Sequence, residues 1–329
     1  MEDVARFLLN DAALSEQLKT ARHGLAREAR ALGVQLLSQR DSEGDVGAEL
    51  CGEAEQDLGG LVSANAKRAE ESLRVMAELA KLPELRPKLN TAVFEGLRFS
   101  LYTLERSLVS RVLRRDKTKR LSGLYVILDR QALAGRDMVA VAGQVVEGGG
   151  RVVQLRDKQS SRSELLAAAQ AVKALCEQSN VLFIVNDYVD VALAADADGV
   201  HTGQKDLPLP VVRRLMPIDK IAGCSVNTVA EAVKARDEGA DYIAVGAMFP
   251  TRTKEAAIVV GIERLKQVRE AVSTALVAIG GIDEDNIGQV LAAGADSAAV
   301  VSAALGTEDV RGAVRRLVER VASLRNGAT

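Results

Sequence analysis

The sequence predicts an α/β chain, a (β/α)8 TIM barrel over residues 121–329 preceded by an all-α domain over residues 1–120. Three observations predict it. From about Leu121 onward, short apolar runs alternate with longer amphipathic stretches. The short runs are apolar throughout, as in parallel strands covered on both faces. Eight such βα units in about 205 residues match the small end of a closed barrel. The alternative is an open doubly wound sheet, which ordinarily carries a glycine-rich dinucleotide turn after its first strand, and none follows Asp129.

Taken in order, residues 1–120 hold no convincing strand. Apolar residues there recur at three- and four-residue spacings, as in Leu73, Met76, Leu79 and Ala80, which predicts amphipathic helices. A polar, glycine-containing segment, Ser38–Gly59, separates two helical portions that resemble a degenerate repeat, with Arg22 matching Arg98 and Leu25 matching Leu101. The first copy has no room for an equivalent of the NAKRAEESLRV stretch before the second, so the native start is expected upstream of Met1. The cationic run Arg111–Arg120 reads as a solvated helix end and linker. The strand candidates follow as Gly123–Asp129, Arg151–Asp157, Val181–Asp187, Gly199–Gly203, Lys220–Val226, Asp241–Phe249, Ala275–Gly281 and Ser297–Leu305. Helices are expected between them, for example over Ser163–Glu177 and Thr228–Glu238.

Composition narrows the function classes. A net charge of −2 argues against a general nucleic-acid binder. The acidic N-terminus is no signal peptide, and no apolar run approaches the roughly 18–20 residues that span a bilayer. Three widely spaced cysteines, Cys51, Cys176 and Cys224, show no metal-site spacing and suit a reducing cytoplasm. A cytoplasmic protein is expected.

In a (β/α)8 barrel the active site lies at the C-terminal ends of the strands, and here those ends are polar. Strand two ends in Gln154, Arg156 and Lys158, which the period of two places on one face, with Leu155 and Asp157 on the other. Two cations and an amide converging there call for an anion. Strand three ends in Asn186 and Asp187, the fourth loop carries His201, Gln204 and Asp206, and strand five ends near Ser225. Strand six leads into Thr251, Arg252, Thr253 and Lys254, strand seven into Gly280 and Gly281 with Asp283 at a helix start, and strand eight contains Ser302. Asp187 and Asp206 are each read either as helix caps or, together, as carboxylates for a hard metal such as Mg²⁺ beside phosphate. His201, with no second histidine nearby, is read as structural. Residues 280–302 fit a phosphate site built from amides and a hydroxyl. One cationic, metal-assisted site beside one neutral phosphate site suits transfer of a group from a diphosphate donor to a phosphorylated acceptor.

The ordered set QLRDK, NDYVDVALAADADGVHTGQKDLP, GCSVNT, GAMFPTRTK, AIGGI and VVSA, over residues 123–322, resembles thiamine-phosphate synthase. The resemblance implies a transferase that couples 4-amino-2-methyl-5-hydroxymethylpyrimidine diphosphate to a thiazole phosphate, or to its carboxylated form with loss of carbon dioxide. Thiamine phosphate and diphosphate are then the products. It implies that Gln154, Arg156, Lys158, Asn186, Ser225 and Lys254 contact the pyrimidine diphosphate, with Arg156, Lys158, Lys254 and Ser225 catalytic. It further implies that Asp187 and Asp206 hold Mg²⁺, and that Thr251, Arg252, Thr253, Gly281, Val301 and Ser302 hold the thiazole phosphate. The implied mechanism is dissociative, and Asp187→Ala is expected to abolish it with little loss of fold. Asn227 stands where many members have histidine. The related thiazole tautomerase is the alternative, and it lacks this full cation and carboxylate set. The helical half resembles an extension on some bacterial members. It is read as an interaction or oligomerisation module, with a packed accessory domain as the alternative. Small-molecule substrates are the expected partners, with no nucleic acid and no membrane.

Overall fold

The computed structural model describes residues 1–33, 57–251 and 258–326. The chain divides into two compact units, Met1–Arg115 and Asp116–Thr329. The division falls inside the last helix of the first half rather than after it.

The first unit is helical, as its spacing predicts. Its long helices are α1 (Ala12–Ala29), α2 (Leu58–Leu79) and α3 (Thr91–Arg120). Asp11 caps α1 by accepting from the Leu14 amide at 3.0 Å, and Asp57 caps α2 through the Gly60 amide at 2.6 Å. The buried stripe of α2 runs Val62, Ala66, Glu70, Leu73 and Ala77, a helical spacing. Leu79, which the sequence spacing places on that stripe, is 39% exposed, because the true period carries the buried face to Ala80. Of the paired repeat positions, Leu101 is buried and Leu25 is not. The Ser38–Gly59 separator lies mostly outside the described residues, and its last two residues, Leu58 and Gly59, already belong to α2.

The second unit is a closed eight-stranded parallel barrel in sequence order. Its strands are β1 (Gly123–Asp129), β2 (Val152–Arg156), β3 (Leu182–Asn186), β4 (Gly199–Thr202), β5 (Ile221–Val226), β6 (Tyr242–Val245), β7 (Ala275–Ile279) and β8 (Ser297–Val300). Between and after them run α4 (Arg130–Leu133), α5 (Met138–Glu147), α6 (Arg162–Gln178), α7 (Val189–Ala194), α8 (Leu209–Leu215), α9 (Val229–Asp237), α10 (Gly261–Ala271), α11 (Ile287–Ala292), α12 (Ser302–Leu305) and α13 (Val310–Asn326). Pairing of β8 with β1, Gly123 against Ser297, closes the ring and excludes the open sheet.

Alternation along each strand sorts side chains into two apolar layers. Tyr125, Ile127, Val152, Leu182, Ile184, Ile221, Tyr242, Ala244 and Val277 fill the barrel interior. Their neighbours, such as Val126, Val153, Leu155, Phe183, Val185 and Ile243, face the helices. The first predicted strand matches to the residue, and the second to fifth are one residue too long at one or both ends; the sixth overruns to Phe249 past Val245, and the seventh to Gly281 past Ile279. The last one needs correction, since Ser302–Leu305 is a turn of helix. Beyond Val300, the last residue paired with β1, the Leu305 amide donates to Val301 O at 2.8 Å and the Gly306 amide to Ser302 O at 2.8 Å. Ser302 therefore follows the strand rather than lying in it. Asp283 likewise sits before its helix, where its carboxylate closes a turn by accepting from the Asp285 and Asn286 amides at 3.1 Å.

Candidate active site

The rim at the C-terminal ends of the strands collects the polar residues. Gln154 continues the inward row begun by Val152 and is 2% exposed. Arg156, the last residue of β2, turns to the carboxylate of Asp129 on β1. Lys158 lies past the strand end, and its Nζ meets Asp187 Oδ2 at 3.0 Å. Asp157 faces away and organises the loop, accepting from the Gln159 amide at 2.8 Å and the Ser160 amide at 3.0 Å. Burial pushes its carboxyl up, but these hydrogen bonds outweigh that and hold it below the ordinary range.

Asp187 does not cap α7, whose first turn has no side-chain cap. Its φ is +64°, a left-handed conformation that Asp tolerates better than most residues. That kink holds its amide on His201 O at 2.8 Å. Asp206 does not cap α8 either, since Pro208 occupies that place. Instead its Oδ2 accepts from the Gly203 amide at 2.8 Å, folding the fourth loop back on itself. The Asp206 carboxyl is raised above its ordinary range, first by burial and then by a hydrogen bond and like charge from Asp187. Two carboxyls are thus held together beside the Lys158 ammonium.

Among the described residues no three His, Cys, Asp or Glu side chains converge as a metal cage. A pair of hard oxygen donors still fits Mg²⁺, which keeps waters and takes further ligands from phosphate oxygens. The destabilised Asp187–Asp206 pair is the observation that favours a cation there.

Across the rim, Gly281 backs onto the sixth loop. A Cβ on it would come within 2.6 Å of Pro250 O, and its φ is +66°. The Phe249 amide donates to Gly280 O at 3.0 Å, and Asn286 Nδ2 donates to Gly281 O at 2.8 Å. These contacts bring Gly281 beside the segment that ends in Thr251. Val301 and Ser302 follow β8, with Ser302 exposed at the start of α12. Asn186, the last residue of β3, is 9% exposed. Arg252, Thr253 and Lys254 lie outside the described residues.

The second unit matches the family model described as thiamine monophosphate synthase over residues 124–304. The chain belongs to the thiamine monophosphate synthase family. Its members place it among the transferases of thiamine biosynthesis. A protein of Synechocystis sp. named thiamine-phosphate synthase is 36% identical over 329 residues, spanning 98% of this chain and 92% of its own. A thiamine-phosphate synthase of Alkaliphilus oremlandii is 47% identical over 195 residues, 59% of this chain and 93% of its own. The solved thiamine phosphate pyrophosphorylase of Pyrococcus furiosus superposes with a TM-score of 0.59 at 39% identity, covering 63% of this chain and 98% of that one. Residues 1–107 match a separate model, described as the ThiD2 family. No helix of the described residues is long and apolar enough to cross a membrane.

Sequence reading misses several site residues. Asp129 is 1% exposed, accepts from the Gln131 and Ala132 amides and holds Arg156. Its signal is available, since it lies four residues after Tyr125 on the same inward face. Gln204, in sequence only part of a polar loop, donates from Nε2 to Ser225 O at 2.7 Å and ties the fourth loop to β5. Tyr125 and Tyr242 read in sequence as strand residues, and nothing there pairs them across 117 positions.

Proposed function

We propose that residues 121–329 couple 4-amino-2-methyl-5-hydroxymethylpyrimidine diphosphate to a thiazole phosphate, carboxylated or not, by a dissociative, Mg²⁺-assisted route. The single observation that carries this reading is the Asp187–Asp206 carboxyl pair with Lys158 Nζ 3.0 Å from Asp187. Such a pair accepts a divalent cation, and the adjoining cations accept a diphosphate. When bound, Mg²⁺ supplies charge neutralisation for the diphosphate oxygens.

The chain's own residues then have distinct tasks. Lys158 is half exposed in its pair with Asp187, so exchanging that partner for a phosphate oxygen costs little. Arg156 presents a planar fork, held in place by Asp129, to the same anion. Lys254, which follows Thr251 in sequence, is assigned to the same anion by the resemblance alone. The C–O bond of the pyrimidine methylene breaks with its electron pair leaving on diphosphate. The resulting carbocation is delocalised by the ring amino group, and the thiazole nitrogen lone pair forms the new C–N bond. No protein nucleophile is needed, so fixed positive charge around the leaving group carries the rate. Gln154 and Asn186 meet the pyrimidine and Ser225 the diphosphate. Thr251, Arg252, Thr253, Gly281, Val301 and Ser302 hold the acceptor phosphate, whose single group amides and hydroxyls suffice to bind.

The family match over residues 124–304, with an Alkaliphilus oremlandii relative covered over 93% of its own length by 195 residues of this chain, supports assigning the synthase reaction to the barrel unit. Residues 1–120 are then an accessory unit for self-association or partner contact. Size-exclusion mass with and without them tests this, and equal subunit number in both forms refutes self-association. The main reading is tested by thiamine phosphate formation from both substrates with and without Mg²⁺. Absence of product with Mg²⁺ present refutes it.

A further inference from the structure

Four hydrogen bonds, three of them buried and the last part-buried, cross the barrel interior and join Gln154 on β2 to Ser225 on β5. Gln154 Nε2 donates to Tyr125 Oη at 2.8 Å. Tyr125 Oη lies 3.0 Å from Tyr242 Oη, Tyr242 Oη lies 3.0 Å from His201 Nδ1, and His201 Nε2 lies 2.8 Å from Ser225 Oγ. Tyr125 and Tyr242 are fully buried and His201 is 6% exposed. The two phenol rings meet edge to face, and the imidazole stacks on Tyr242 at 5.4 Å. Room for Tyr242 is made by Gly223, where a Cβ would come within 2.0 Å of the ring.

Each hydroxyl in such a chain has one proton to give, so the links share one direction. Tyr125 accepts from the Gln154 amide and gives its proton to Tyr242. Tyr242 in turn gives to His201 Nδ1. A ring nitrogen that accepts carries no proton, so the imidazole proton sits on Nε2 and is donated to Ser225 Oγ. The Ser225 hydrogen is then left over, as is the carbonyl oxygen of Gln154. Turning the amide reverses every link and leaves an amino group at Gln154 and a lone pair at Ser225. A mixed arrangement strands a buried donor or acceptor, which is expensive.

We propose that Tyr125, Tyr242 and His201 are positioning residues. They form a directional chain that makes Gln154 present an acceptor and Ser225 a donor to the substrate. The proposal rests on the reading above that these two residues contact the pyrimidine diphosphate. An acceptor at Gln154 suits the ring's exocyclic amino group, and a donor at Ser225 suits a phosphate oxygen. The chain thereby selects one polarity at both ends of the donor substrate at once.

Two experiments test it on the full chain. The protein has two histidines, His23 and His201. With ¹⁵N-labelled imidazoles, NMR is expected to show His201 with a pyridine-like Nδ1 and a proton on Nε2. A proton on Nδ1 overturns the direction. Steady-state kinetics of Tyr242→Phe, Ser225→Ala and the double variant form the second test. Tyr242→Phe is expected to lower kcat/KM for the pyrimidine diphosphate about tenfold in the parent and less than about twofold in Ser225→Ala. The KM for the thiazole phosphate is expected to stay unchanged. Equal losses in both backgrounds, or a matching rise in the acceptor KM, overturn the proposal, because either is what a merely structural tyrosine would give. Tyr125→Phe serves in the same cycle if Tyr242→Phe does not fold. Unchanged kinetics in both Ser225→Ala and Gln154→Ala refute the contact assignment itself, an outcome the NMR result does not share.

Discussion

Asp187 offers a substitution in which chemistry and backbone strain separate. Its φ of +64° means that Asp187→Ala and Asp187→Asn both delete the carboxylate but differ in backbone cost. Deleting the charge loses the pair with Lys158, which is 53% exposed and therefore worth at most about 1 kcal/mol. It also relieves the like charge on Asp206, a contribution of opposite sign. Asp187→Asn should therefore leave stability within about 1 kcal/mol of the parent. Asn, like Asp, tolerates the left-handed region, whereas Ala meets a steric cost of roughly 1–2 kcal/mol there. Asp187→Ala should fall below Asp187→Asn by about 1 kcal/mol or more, equivalent to about 2–4 °C in Tm for a unit of this size. Both should lose turnover at every Mg²⁺ concentration. The assay pairs urea or thermal unfolding of the two variants with turnover under Mg²⁺ titration. Equal stability of the two variants would refute the strain argument, and preserved, Mg²⁺-dependent turnover in Asp187→Asn would refute the metal assignment. The alanine variant suggested by sequence alone confounds the two effects.

Three other substitutions probe separate parts of the chain. Gly223→Ala places a methyl 2.0 Å from a fully buried ring, so it should cost about 1–3 kcal/mol or more by overpacking; an unshifted urea midpoint would count against Gly223 being required to seat Tyr242. Gly281→Ala strains a φ of +66° and pushes on Pro250 O, so the KM for the thiazole phosphate should rise about tenfold with the pyrimidine KM little changed; the reverse pattern would move the acceptor site elsewhere. Glu70, buried in the first unit, has its carboxyl raised first by burial and then by the charge of Glu105. A raised acid pKa in the folded state means stability present at low pH is lost as pH rises through that pKa. Glu70→Gln should therefore stabilise the first unit at neutral pH and flatten its pH dependence above about pH 4, and a lower unfolding midpoint than the parent would contradict this.

The barrel is legible from sequence because its strands are apolar on both faces and bounded by polar ends. The sequence places β1 to the residue, and the helical first half follows from spacing alone. The rim residues are legible as a set because strand parity is fixed by a period of two, which puts Gln154 and Arg156 on the inner face and Leu155 on the outer. Strand ends are not, since Ser302 belongs to a helix as soon as β8 runs out of partners on β1. The roles of Asp187 and Asp206 also stay open in sequence, because an aspartate before a helix reads equally as a cap. The folded barrel removes the cap reading, because neither helix takes a side-chain cap from them, and it sets the two carboxyls beside one another. It also decides which buried polar groups meet. Tyr125 and Tyr242 are 117 residues apart, and only the ring of eight strands sets their hydroxyls 3.0 Å from one another. Local periodicity determines which face a side chain takes, while its partner across the barrel is set by strand order and stagger, which no short stretch of sequence contains.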